Sequence, residues 1–146
     1  MSGITFAAVS KAADAPHVEG GFYDARFDAV DIKKDIPSQF GNSDCFEWAF
    51  TLLDDEGAVL YDGGEPVEVT GLTSMSTNVK SKTTPKAVRY LKALMTEAEY
   101  AEFVEGGGVD ASALLGRVVQ VEVGIKDSGW PSIFNVLPAR KRRASR

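Results

Sequence analysis

Between residues 21 and 137 the apolar residues change their spacing twice. They recur at every second position through about residue 72. From Val88 to Val104 they recur at every third or fourth position, and from residue 117 the period of two returns. A period of two marks a strand with one buried face, and a period of 3.6 marks an amphipathic helix. The chain thus predicts three strand regions, a short helical stretch and two more strands. With 146 residues, of which 44% are hydrophobic, it is long enough for one domain with a real core.

Strand one is expected at 21–32, where Tyr23, Ala25 and Phe27 alternate with Asp24, Arg26 and Asp28. A one-residue slip then puts Val30 and Ile32 inside, which calls for a bulge. Residues 33–44, with Pro37, Gly41 and Asn42, read as a long loop. Strand two, 45–52, sets Phe46, Trp48, Phe50 and Leu52 on one face. A hairpin turn at 54–57 leads to short strands at 58–61 and 66–72. The Ser/Thr-rich loop 73–84 ends at Thr84, the expected N-cap, with Pro85 opening a helix whose stripe is Val88, Leu91, Leu94 and Met95. Thr96 and Glu99 have capping-box spacing for a second helix carrying Tyr100, Phe103 and Val104, which Gly106–Gly108 should stop. Asp110 is placed to cap a short turn over 111–115, closed by Gly116. Strand four, 117–125, alternates with Val119, Val121, Val123 and Ile125 inward. A turn at 126–131 precedes strand five at 132–137.

This order, with its aromatic second strand, is that of the OB-fold: a mainly β, five-stranded Greek-key barrel with a helix between strands three and four. The expected organisation is a flexible arm over 1–20, an OB-fold-like domain over 21–139 and a basic, disordered tail over 140–146. The first 21 residues lack a charged segment followed by an apolar run, so no secretory signal is expected. No apolar run approaches the ~20 residues of a membrane span. Cys45 is the single cysteine, which excludes an internal disulfide, points to a reducing compartment and, with one His, leaves no usual zinc set. The net charge of −5 counts against a generic nucleic-acid binder. The cations are nevertheless clustered, at Lys33–Lys34, across Lys80, Lys82, Lys86, Arg89 and Lys92, and in the tail.

Four pieces carry a resemblance: Gly21-x-Tyr23-x-Ala25-x-Phe27, the alternating Phe46, Trp48 and Phe50, and a Pro85–Leu94 helix before Leu114-Leu115-Gly116-Arg117-x-Val119-x-Val121. The closing piece is Pro131-Ser132-Ile133-x-Asn135-Val136-x-Pro138. In this order, over residues 20–140, the chain resembles phage-encoded OB-fold proteins related to single-stranded-DNA-binding proteins. The resemblance implies a barrel that coats single-stranded DNA during phage replication or recombination in the host cytoplasm. It implies no catalysis, no cofactor and no membrane, with phage or host replication and recombination proteins as further partners and self-association left open. Such proteins often end in an acidic tail, whereas this chain ends in ARKRRASR. Recruitment through an acidic tip is therefore in question, and direct contact of the tail with phosphates gains weight.

Binding a single strand without sequence preference needs cations for the phosphates and aromatic faces for the bases. OB-folds use strands two and three and the loops after strands one and four. The candidates are Lys33, Lys34 and Phe40 in the first loop, Trp48 on strand two, Lys80 and Lys82 before the helix, Lys126 and Trp130 in the last turn, and Arg140, Lys141, Arg142 and Arg143 in the tail. Each has a plainer reading. Trp130 can plug the barrel end, Phe40 can fold back, Trp48 alternates with Phe46 and Phe50 as core residues do, and the cations can be ordinary solvated charges. His17 has no orienting acid near it in sequence, Asp54-Asp55-Glu56 lacks Ca²⁺-loop spacing, and Gly106–Gly108 fits no phosphate-loop pattern. No nucleophile–base pair or metal set can be drawn, which makes an enzyme the weakest class. A protein-contact barrel, whether an accessory factor or a host-factor inhibitor, and a virion component are the rival classes.

Overall fold

The computed structural model describes residues 16–38 and 41–139. Five strands form one antiparallel sheet: β1 (Gly21–Ile36), β2 (Ser43–Leu53), β5 (Glu68–Ser74), β6 (Val118–Ile125) and β7 (Pro131–Leu137), in the order β5-β2-β1-β6-β7. A small hairpin of β3 (Tyr61–Asp62) and β4 (Glu65–Pro66) stands apart. Helices α1 (Lys86–Leu94) and α2 (Glu97–Glu102) follow β5 and precede β6 in the chain.

The sheet curls until its edges touch. The Ser132 hydroxyl of β7 donates to the Thr70 carbonyl of β5 at 3.2 Å. A Cβ on Gly71 would lie 2.8 Å from the Ile133 Cβ, so glycine is what lets the edges close in. No backbone ladder joins β5 to β7. Of the expected five-stranded barrel, the structure shows a mainly β, five-stranded antiparallel sheet that is open and curled, its edges meeting through a side chain and packing.

The curl encloses Ala25 and Phe27 of β1, Trp48, Phe50 and Leu52 of β2, Val69, Val119, Val121 and Val123, and Ile133 and Val136, capped by Ala87, Tyr90 and Leu94 of α1. The bulge on β1 falls between Phe27 and Ala29. Two residues expected inward are open to solvent because they outrun their neighbours. Ile32 lies beyond the last β1–β6 pair at Arg26, and Ile125 lies beyond the last such pair at Gly21. Half of the long loop expected over 33–44 is strand. β1 runs on to Ile36, and a short turn follows in which Ser38 and Gly41 exchange backbone hydrogen bonds of 3.1 Å. The Asp35 amide, at φ 58°, donates to the Asp44 carboxylate.

Pro85, not Thr84, takes the cap position of α1. Its extended ψ of 147° delays the helix by one residue and leaves it without a side-chain cap. The Thr96–Glu99 capping box forms in full at α2. A π-type turn, Phe103–Gly107, ends that helical stretch, with Gly106 at φ 95°. Asp110 caps a single 3-10 turn, Ala111–Ala113. The end of the expected arm lies on the body: Val18 packs against the core, the His17 amide donates to Asp62, and the Tyr23 hydroxyl donates to the Glu19 carbonyl at 2.7 Å.

Candidate nucleic-acid interface

The β6–β7 turn is built for a sharp reversal. The Gly129 amide donates to the Lys126 carbonyl at 2.8 Å and the Lys126 amide to the Trp130 carbonyl at 2.9 Å, with Gly129 at φ 90°. Trp130 and Lys126 therefore sit across the hairpin neck, and Trp130 is 37% exposed. β7 then bulges at Phe134, because Asn135 pairs with Glu122 while Ile133 pairs with Val123. A Cβ on Gly124 would meet the Phe134 ring at 2.2 Å, so the ring lies across the Gly124 backbone on the sheet's outer face. Phe22 is directly opposite Glu122, two positions from Gly124, and strand alternation puts it on that same face. Phe22 and Phe134 are 59% and 48% exposed. They stand two strands apart, about 10 Å by strand spacing.

The outer face of β2 and β5, where the fold analogy places the ligand, carries other chemistry. Opposite Trp48 and Phe50 in the alternation lie Glu47, Ala49 and Thr51, facing Leu72, Thr70 and Glu68. No aromatic ring lies among them. Arg26 donates to Asp28 at 2.8 Å, Thr51 donates to Asp28, and Lys33 meets Glu47 at 3.6 Å.

Trp48 is 2% exposed. Its ring lies against Phe27, Phe46 and Tyr90, and its indole N–H donates to the Thr73 hydroxyl at 2.9 Å. As placed it offers no face to a base. Lys33 and Lys34 lie on β1 rather than in a loop, and Lys80 and Lys82 are exposed in the loop before α1. Cys45 pairs with both Lys33 and Ser74, so these lysines and the start of the 75–84 loop share one end of the sheet. Lys126 and Trp130 are at the other end of β1. Phe40, Arg140, Lys141, Arg142 and Arg143 lie outside the described residues. Phe22 and Phe134 escaped the sequence reading, although each is an aromatic out of phase with the buried residues of its own strand.

An apolar pocket of about 330 Å³ opens beside Trp48, between Phe46, Val30, Leu91, Phe103 and Leu114. Thr77 is its one hydroxyl, and no titratable side chain lines it. Two grooves of about 360 and 320 Å³ flank α1 and share Lys92 and Pro138. Arg117 grips both Glu99 oxygens at 2.5 and 2.9 Å and donates to the Leu94 carbonyl, tying the start of β6 to both helices. That pairing holds the Glu99 carboxyl down at about 2. Among the described residues no three His, Cys, Asp or Glu side chains gather as a metal set, and no helix is long and apolar enough to cross a membrane. No protein-family model matches the chain, and no curated protein matches it significantly.

Proposed function

We propose that the chain is a non-catalytic single-stranded-DNA-binding protein on an OB-fold-like sheet, of the kind used in phage replication or recombination. The observation that carries the reading is the exposed Trp130 beside Lys126 at the turn between the last two strands, with the exposed rings of Phe134 and Phe22 further along the outer face of the sheet. Exposed rings give sequence-independent faces for bases, and a neighbouring cation offsets phosphate charge. The sheet order supports the fold reading. Strands three and five of the main sheet form its two edges, run parallel and touch, as in a partly open OB barrel.

Anisotropy of a labelled oligo-dT, against a duplex of equal length and across a salt series, tests the reading. Tight binding to the single strand, falling steeply with salt, is the expected result. Absence of binding at low salt overturns it. A protein-contact function would then be the better reading, favoured by the apolar pocket of about 330 Å³ beside Trp48.

A further inference from the structure

Helix α1 has no acidic residue (KAVRYLKAL). Its buried face holds Ala87, Val88, Tyr90 and Leu94, which leaves Lys86, Arg89 and Lys92 in a row at i, i+3 and i+6 on the opposite side. Among the described residues Arg26, Lys33 and Arg117 each meet a carboxylate. The three cations on α1 make no such ion pair, and neither do Lys34, Lys80, Lys82 and Lys126. Lys86 and Lys92 instead hold their ammonium groups over the Tyr90 and Tyr100 rings, 5.9 and 5.3 Å from the centroids. The Lys86 ammonium is held below its ordinary pKa, first by burial and then by the Arg89 charge, while Glu122 opposes the shift. Arg89 thus adds to the positive charge beside Lys86, and Glu122 offsets part of it.

Arg89 and Lys92 line the groove of about 360 Å³ against Asn135, Leu137 and Pro138 of the β7 end. Lys92 and Pro138 continue into the second groove, where Tyr100 and one acid, Glu97, stand. The groove begins one residue after Phe134. At its far end the chain passes Pro138 towards residues 140–146, whose sequence holds five more cations. An aromatic surface and a basic groove therefore follow one another along a single strand, β7. Unbalanced cations in a concave track complement a polyanion.

We propose that the groove between α1 and the end of β7 is a second contact site for the phosphate backbone of the same single strand, with Arg89 and Lys92 as its contacts. The strand then runs along β7, from the β6–β7 turn over Phe134 to the helix, rather than across the outer face of β2 and β5. The proposal rests on the single-strand reading.

The test compares the intact chain with Arg89→Gln/Lys92→Gln and with the charge-preserving Arg89→Lys/Lys92→Arg, on oligo-dT of about 15 nucleotides over a salt series. Each lost phosphate contact removes ~0.7 from the slope of log K against log salt. The neutral pair should therefore flatten the slope by roughly 1.4 and weaken binding on the order of tenfold or more at low salt, while the charge-preserving pair keeps the parent slope. A neutral pair that folds normally and keeps the parent slope and affinity overturns the groove and leaves the single-strand reading standing. No binding by the parent chain at low salt removes both. A second measurement needs no variant: amide chemical-shift mapping of the parent chain with oligo-dT. Shifts at Arg89, Lys92 and Asn135 as well as at Trp130 are expected, and shifts at Trp130 without any at Arg89, Lys92 or Asn135 overturn the groove.

Discussion

Tyr90 shows how much a single residue can commit the core to. Its ring is fully buried and meets Trp48 edge-on at 5.2 Å, while its hydroxyl finds no hydrogen-bond partner among the described residues. Burial pushes that hydroxyl up to about 12. A buried hydroxyl without a partner carries an uncompensated desolvation cost of about 1–3 kcal/mol. Tyr90→Phe keeps the ring and removes that cost, so urea unfolding should show the variant more stable by ~1 kcal/mol; a loss of stability would mean that the hydroxyl is satisfied. The sign of the pH effect follows from the raised value. The unfolded chain releases this proton first, near pH ~10, so the fold loses further stability as pH rises from there towards 12. Tyr90→Phe should flatten that alkaline limb. The other side of the same ring pair explains why Trp48 was half-legible. Its alternation with Phe46 and Phe50 announces a buried face, but the partner that seals it, Thr73, lies 25 residues away and leaves no local signal.

At the scale of elements, local chemistry was readable and reach was not. The Thr96–Glu99 box was legible because it needs only a spacing of three. The bulge on β1 was legible because the alternation breaks there. The length of β1 was not, since Lys33 and Lys34 read as loop residues until β2 is laid beside them, where Lys33 pairs with Cys45 and meets the Glu47 carboxylate. Glu99 joins the two kinds of information. Locally it closes the capping box, and across the fold it holds Arg117. Because its carboxyl is depressed to about 2, its contribution is complete above the ordinary carboxylate range and is lost as pH falls towards 2. Glu99→Gln should be less stable than the parent at neutral pH, with the gap narrowing on acidification between about pH 4.5 and 2. Chemical denaturation across that range measures it, and a gap that does not change with pH would detach the carboxylate from the effect. The β6–β7 pair has its own steric requirement. Gly124→Ala must drive the Phe134 ring off the sheet, so the expected results are a shifted Phe134 ring signal in NMR and weaker single-strand binding at little cost to the core.

At the scale of the molecule, composition and structure give opposite impressions. A net charge of −5 speaks against nucleic acid, yet the fold sorts that charge. Asp28 of β1 and Glu47 of β2 meet Arg26 and Lys33, Glu99 meets Arg117, and among the described residues the cations of α1 form no ion pair with a carboxylate. The aromatic residues are sorted as well: Trp48, Phe27 and Phe50 fill the core, while Phe22 on β1, Trp130 at the β6–β7 turn and Phe134 on β7 face water, as does Tyr61 on the small hairpin. Neither sorting is visible in a sequence, because both depend on which strands become neighbours. They lead to a prediction about where the ligand does not go. If a single strand follows β7, Trp130→Ala and Phe134→Ala should each weaken oligo-dT binding by about 1–3 kcal/mol, the usual worth of one stacked base. Glu47→Gln on the outer face of β2 should leave affinity and salt slope nearly unchanged. If the strand crosses β2 and β5 instead, the order reverses. Removing the Glu47 carboxylate beside the path then strengthens binding and frees Lys33, while the two ring truncations have little effect. Anisotropy titration of the three variants against the parent chain separates the two paths without a structure of the complex.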